Sequence, residues 1–183
     1  PPRSTLFPYT TLFRSDPWSQ AGFTERQKRI SSAWTPSRVY TPAMAAHGRE
    51  WGNWGSLREP PPLGGDVGVL AVRPLGGRRW SAAFVPRGAA TGSLRLHAAC
   101  LGFDLTSRVA GGENAGRTLS HDFVVLGYGD SPMSAAGGRW SAEFAEPAVA
   151  TGTTARALAV WVEREGRPIQ ATGGWLEDRK GGP

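Results

Sequence analysis

The stretch that decides the fold occurs twice: RWSAAFVPRGAATG at 79–92 and RWSAEFAEPAVATG at 139–152, agreeing at eight of fourteen positions. In each copy a tryptophan and a phenylalanine stand four apart with an alanine between them: Trp80, Ala82 and Phe84, then Trp140, Ala142 and Phe144. Side chains alternate across a strand, so these three share one face. The echo predicts two equivalent β-hairpins that contribute matched aromatics to one core. A sugar-stacking platform would use the same residues, and burial separates the two readings.

Working outward, runs of strand-like composition recur between Gly, Pro, Asn and Asp punctuation: 66–73, 79–85, 93–103, 118–128, 138–144, 155–163 and 169–176. Short strands at this spacing predict an antiparallel β-sandwich rather than an α/β domain. Gly 25 and Pro 15 fit so many turns. No apolar run of about eighteen residues exists, so no membrane-spanning helix is predicted. A single cysteine, Cys100, excludes an intrachain disulfide, a four-cysteine zinc site and a CxxC motif within these residues.

The N-terminal third is of another kind. Residues 1–15, PPRSTLFPYTTLFRS, back-translate into one reading frame of a common sequencing adapter and are read as an adapter-derived, disordered artefact, with natural sequence beginning near Asp16. That segment carries Arg3 and Arg14 and no acid, so without it the formal net charge of +6 falls by two. The remaining arginines are scattered rather than gathered with aromatics on one element, which argues against a nucleic-acid partner. In DPWSQAGFTERQKRISSA (16–33), Asp16 can cap a helix with Pro17 at its first position. Two extended pieces around Thr41–Pro42 follow, with His47–Gly48 as a hairpin turn. The expected organisation is a helix-plus-hairpin unit over 16–58, a Pro/Gly linker over 59–65, a β-sandwich-like domain over 66–176 and a flexible tail over 177–183.

Chemistry is sparse. His47, His97 and His121 are the three histidines, and none lies at metal-ligand spacing from another His or Cys. His121–Asp122 imitates a base with its orienting carboxylate, yet neighbours in a strand point to opposite faces. Cys100, in the apolar run LRLHAACLGF, reads as an inert buried thiol. The loop GGENAGR (111–117) puts Glu113 and Arg117 four apart, enough for a tight turn held by a carboxylate–guanidinium contact. No catalytic, cofactor-binding or metal-binding residue is assigned.

Four blocks carry a resemblance: DPWSQAGFTERQKR (16–29), SRVYTPAMAAHGRE (37–50), GGENAGRTLSHDFVVLG (111–127) and QATGGWL (170–176). In this order they resemble bacterial secreted thioredoxin-like proteins, the family of domain of unknown function 1223. The resemblance implies an α+β, mostly β chain in which a truncated thioredoxin-like remnant precedes the sandwich. It implies export to the periplasm or beyond, and a parent protein with a thiol–disulfide redox-associated role acting on an unknown protein or thiol partner. The family's CxxC would lie upstream of Asp16, so the chain as it stands is expected to lack disulfide exchange. Thr41 and Pro42 match the cis-proline loop, and Gly112, Glu113, Asn114, Gly116 and Arg117 match the family-motif loop. Departures from the pattern are His47, where the family usually has Asp or Asn before glycine, and 52–65, where a helix is expected. The alternative is a non-catalytic β-sandwich binding or structural module.

Overall fold

A computed structural model describes residues 17–32, 34, 43–51, 65–88, 92–110, 115–149, 153 and 155–176. Helix α1 spans Ala21–Ser32, and the short strands β1 (Ala45–Ala46) and β2 (Arg49–Glu50) form a hairpin. The β-rich part runs β3 (Gly68–Gly76), β4 (Arg79–Pro86), β5 (Leu94–Gly102), β6 (Leu105–Arg108), β7 (Thr118–His121), β8 (Val124–Pro132), β9 (Ser134–Ala136), β10 (Arg139–Ala145), β11 (Arg156–Arg164) and β12 (Arg167–Leu176). Two four-stranded sheets result, ordered β3-β4-β10-β9 and β12-β11-β5-β8, with β6-β7 as a separate two-stranded ribbon. Among the described residues these strands pair antiparallel throughout.

The sequence echo explains this order. Its two strands, β4 and β10, pair with each other, so that Trp140 faces Phe84, Phe144 faces Trp80 and Ala142 faces Ala82. In the second sheet β5 and β11 pair with Ala99 opposite Ala159. Ala82–Ala142 and Ala99–Ala159 are both sixty positions apart, the offset of the echo, so each residue faces its own counterpart. A local two-fold axis therefore passes through both alanine pairs. Around it each half contributes a hairpin to the first sheet (β3-β4, β9-β10) and an antiparallel pair to the second (β5-β8, β11-β12).

The halves differ in strand length, nine residues in β3 against three in β9, and in one connection. Glu165 and Gly166, with φ of 51° and 76°, turn β11 directly into β12, as the twist of a two-residue hairpin demands. Between β5 and β8 the first half instead inserts residues 103–123, which hold β6 and β7.

Between the sheets lies one core. Leu70, Ala82 and Phe84 face Leu94, Leu96, Ala98, Leu158, Val160 and Val162, with Trp80, Trp140 and Phe144 packed against them. The echoed aromatics are thus core residues and not a surface platform. Strand β10 alternates between exposed and half-buried positions as a one-sided strand does, whereas β5 is buried along most of its length because its outer face is covered as well. Gly127 is required at one close approach, where a Cβ would stand 2.3 Å from the Ala148 carbonyl oxygen.

Several details correct the sequence reading. Helix α1 begins at Ala21, with the Gln20 carbonyl accepting from the Phe23 amide, so Pro17 lies before it in a turn. The run 118–128 is two strands broken at Asp122–Phe123, and β6 and β9 were not foreseen. The His47–Gly48 turn forms as read, with φ of 52° and 71°. Residues 1–15, Thr41, Pro42, most of the 59–65 linker and the 177–183 tail lie outside the described residues. Among the described residues no helix is long and apolar enough to cross a membrane.

Phe84 is 1% exposed and Phe123 is 71% exposed. Phe84→Ala is expected to cost about 3–5 kcal/mol in denaturant unfolding, and Phe123→Ala well under 1 kcal/mol. Similar losses for the two would contradict the placement of the core.

Candidate functional site

The densest group of polar side chains sits on the outer face of the second sheet, where α1 meets it. Glu163 and His97 project from the paired strands β11 and β5, Tyr128 from β8, and Arg26 from α1. Arg26 Nη2 donates to Glu163 Oε1 at 2.5 Å while Nη1 donates to Tyr128 Oη at 2.8 Å. Trp161 Nε1 donates to the same Glu163 oxygen at 2.8 Å. His97 lies stacked against Trp161, with centroids 5.3 Å apart and planes 12° from parallel. Its Nδ1 is 2.6 Å from Tyr128 Oη and its Nε2 is 3.0 Å from Glu163 Oε2, the latter off the line of a good hydrogen bond. The Arg26 guanidinium also lies over the Tyr128 ring at 4.9 Å.

This arrangement selects a proton pattern. An ionised carboxylate only accepts, so the imidazole nitrogen facing Glu163 carries hydrogen. Nδ1 and the Tyr128 hydroxyl share a hydrogen bond, and the same Tyr128 oxygen accepts from Arg26. Burial opposes ionisation of Glu163, but its contacts with His97, Trp161 and Arg26 outweigh that, holding the carboxyl at about 2 against an ordinary 4.5. Burial raises the Tyr128 phenol, with Arg26 opposing it, so Tyr128 is no nucleophile. The group is a polar staple between helix and sheet.

A second buried carboxylate, Glu146, accepts from Arg78 Nη2 at 2.9 Å and Arg156 Nη1 at 3.2 Å. Beside it Cys100 is fully buried, and desolvation pushes its thiol up against the pull of Arg156. A thiol so placed is a poor nucleophile. Arg79, Arg87 and Arg95 pair with Glu143, Asp66 and Asp130, which leaves those guanidinium groups engaged rather than gathered for phosphates.

The insertion between β5 and β8 holds the remaining candidates. His121 does not use Asp122: its Nε2 meets Ser107 Oγ at 2.7 Å across the β6-β7 ribbon, and Trp18 packs edge-on against its ring at 5.1 Å. Asp122 Oδ1 instead accepts from the Asp104 amide at 3.0 Å. The dyad spans the two-stranded ribbon and ties β6 to β7.

Phe103 and Phe123 bracket the same insertion. Buried Phe103 contacts both Phe123, 4.7 Å between centroids at 67°, and Trp175 of β12, 4.5 Å at 49°. Phe123 and Trp175 are 71% and 68% exposed. Asp104 and Phe123 both hold left-handed φ, 53° and 58°, a strain that non-glycine residues adopt rarely.

Of the family-motif loop, Gly112, Glu113 and Asn114 lie outside the described residues. Gly116 and Arg117 close a turn in which the Gly116 amide donates to Val109 O and the Val109 amide to Arg117 O. Thr41 and Pro42, the cis-proline loop, lie outside the described residues too. Among the described residues no three or more His, Cys, Asp or Glu side chains converge on a metal-sized space.

Comparison of the chain with protein-family models, with curated proteins and with solved structures finds no match.

Two outcomes follow from these environments. Because the folded value of Glu163 lies below 4.5, its ionised form stabilises the fold above about pH 4.5, and that contribution disappears as the pH falls toward 2. Over this window wild type is expected to lose stability more steeply than Glu163→Gln; parallel melting curves would refute it. Cys100 is expected to react with a thiol-specific disulfide reagent only at the rate of global unfolding, and rapid labelling of the native chain would show the thiol to be open.

Proposed function

We propose that this chain is a non-catalytic recognition module, and that it binds its ligand at the aromatic corner formed by Phe103, Phe123 and Trp175. The observation that carries this reading is the pair of large rings left more than two-thirds exposed, both seated on one buried phenylalanine. Exposed apolar clusters of this kind mark interaction sites more often than chance surface. Their place matters equally. The corner lies at the insertion, where one half of a duplicated fold departs from the other. The polar groups elsewhere are consumed in structural pairings, and the sole cysteine is buried, so nothing on the described surface offers a nucleophile for thiol exchange.

The redox reading rests on the sequence resemblance, and the β1-β2 hairpin stands where that resemblance expects one. On it, residues 16–58 are a thioredoxin-like remnant of an exported parent, and a CxxC segment supplied upstream of Asp16 would confer insulin reduction.

To test recognition, the full chain is screened by tryptophan fluorescence against oligosaccharides, proline-rich peptides and tetramethylammonium, with Trp175→Ala in parallel. The expected result is a ligand whose affinity falls at least tenfold in the variant and which mass spectrometry recovers unchanged. Chemical turnover of that ligand, or insulin reduction by the chain as it stands, would overturn the reading.

A further inference from the structure

We infer that the ligand of the aromatic corner is a neutral carbohydrate, stacked on Phe123 and Trp175 and hydrogen-bonded at its edge by Asp104 and Asp122; this rests on the recognition reading above.

Size argues first. An aromatic side chain presents roughly 150–250 Å², so two at these exposures offer on the order of 300 Å². A stable protein interface needs about 800 Å² from each partner. The exposed surface of the two rings matches one or two sugar rings, the footprint of a small ligand at the centre of the corner. Among the described residues, Val125 on β8, 37% exposed, is a further exposed apolar side chain on the same stretch.

Shape argues next. Phe103 touches both outer rings at 4.5–4.7 Å, so no gap separates it from either ring that could enclose a cation as an aromatic cage does. Both outer rings keep most of their aromatic surface open to solvent. The C–H face of a pyranose packs on such faces, while a linear apolar chain would gain more from an enclosed groove.

Polarity completes the case. The sequence runs Phe103–Asp104 at one end of the insertion and Asp122–Phe123 at the other, and the backbone of one aspartate is hydrogen-bonded to the side chain of the other. Both aspartates are exposed. Asp122 spends Oδ1 on the Asp104 amide, which clamps the two corners together. Carboxylates are acceptors and sugar hydroxyls are donors, so these two exposed aspartates complement a polyol. It opposes an anionic sugar, whose own carboxylate or sulfate would meet like charge.

The experiment presents the full chain with neutral hexasaccharides of β-1,4-glucan, xylan, chitin and α-1,4-glucan, a uronic-acid hexasaccharide and tetramethylammonium, using calorimetry and circular dichroism. Wild type is expected to bind at least one neutral oligosaccharide. Trp175→Ala and Phe123→Ala should each weaken that binding tenfold or more with unchanged spectra, and Trp175→Phe should retain it within about threefold. If Trp175→Ala perturbs the fold, Phe123→Ala decides. Neutral-sugar binding that survives both alanine variants overturns the site. A uronic-acid oligosaccharide or tetramethylammonium bound through Trp175 in place of neutral sugars overturns the carbohydrate class proposed while recognition stands. Absence of any ligand sensitive to Trp175 takes down both readings.

Discussion

The pairing of each repeated strand with its own counterpart is the constraint from which the rest of the architecture follows. Once β4 lies antiparallel to β10 with Ala82 against Ala142, the aromatics at either side of the alanine must meet the opposite type: tryptophan faces phenylalanine and phenylalanine faces tryptophan. A large ring beside a smaller one, with alanine at the centre, lets the ladder stay close while filling the space above it. The same relation in the second sheet sets Ala99 against Ala159. A one-residue slip in either ladder would turn the inward set outward, so the two sheets hold each other in register.

Electrostatics are arranged around this frame rather than within it. The two most enclosed carboxylates, Glu163 and Glu146, are each met by more than one donor, and arginine is the cation in both. A guanidinium can donate in two directions at once, as Arg26 does to Glu163 and Tyr128, and a lysine ammonium lacks that planar fork. The near absence of lysine in the sequence is consistent with these demands. Burying a carboxylate is costly unless its lone pairs are filled, which is why the helix is tied to the sheet at this point.

Much of the frame was legible from local chemistry. The Trp–Ala–Phe spacing identified an inward face, and the Gly/Pro punctuation bounded most strands of the two sheets. The short segments escaped. Strand β9 is three residues long and follows β8 after Met133 alone, and the Gly129–Asp130–Ser131–Pro132 punctuation falls inside β8 rather than between the two strands. The corner at Asp122–Phe123 depends on a phenylalanine adopting positive φ, a conformation that composition does not signal. The polar staple was invisible for a different reason: Arg26, His97, Tyr128 and Glu163 are spread over more than a hundred positions, and only the strand order brings them together. For the aromatic corner a faint signal did exist, since Phe103–Asp104 and Asp122–Phe123 mirror each other across the insertion. Without knowing that β12 returns beside β11, Trp175 could not have been joined to them.

The two-fold arrangement also has a kinetic consequence. The central ladders join residues 54 to 70 positions apart, from Arg156 against Gly102 to Arg164 against Leu94, so neither half contains both strands of either ladder. An emerging chain can close β3 on β4 early, but β4 and β5 stay without their inner partners until β10 and β11 are made. Contacts of such long sequence separation slow folding, because loop entropy must be spent before any ladder forms. During that interval two largely apolar strand edges stand open. A second copy in the same state would present the same strands in the same register, making exchange of halves between chains the natural misfolding route for this topology.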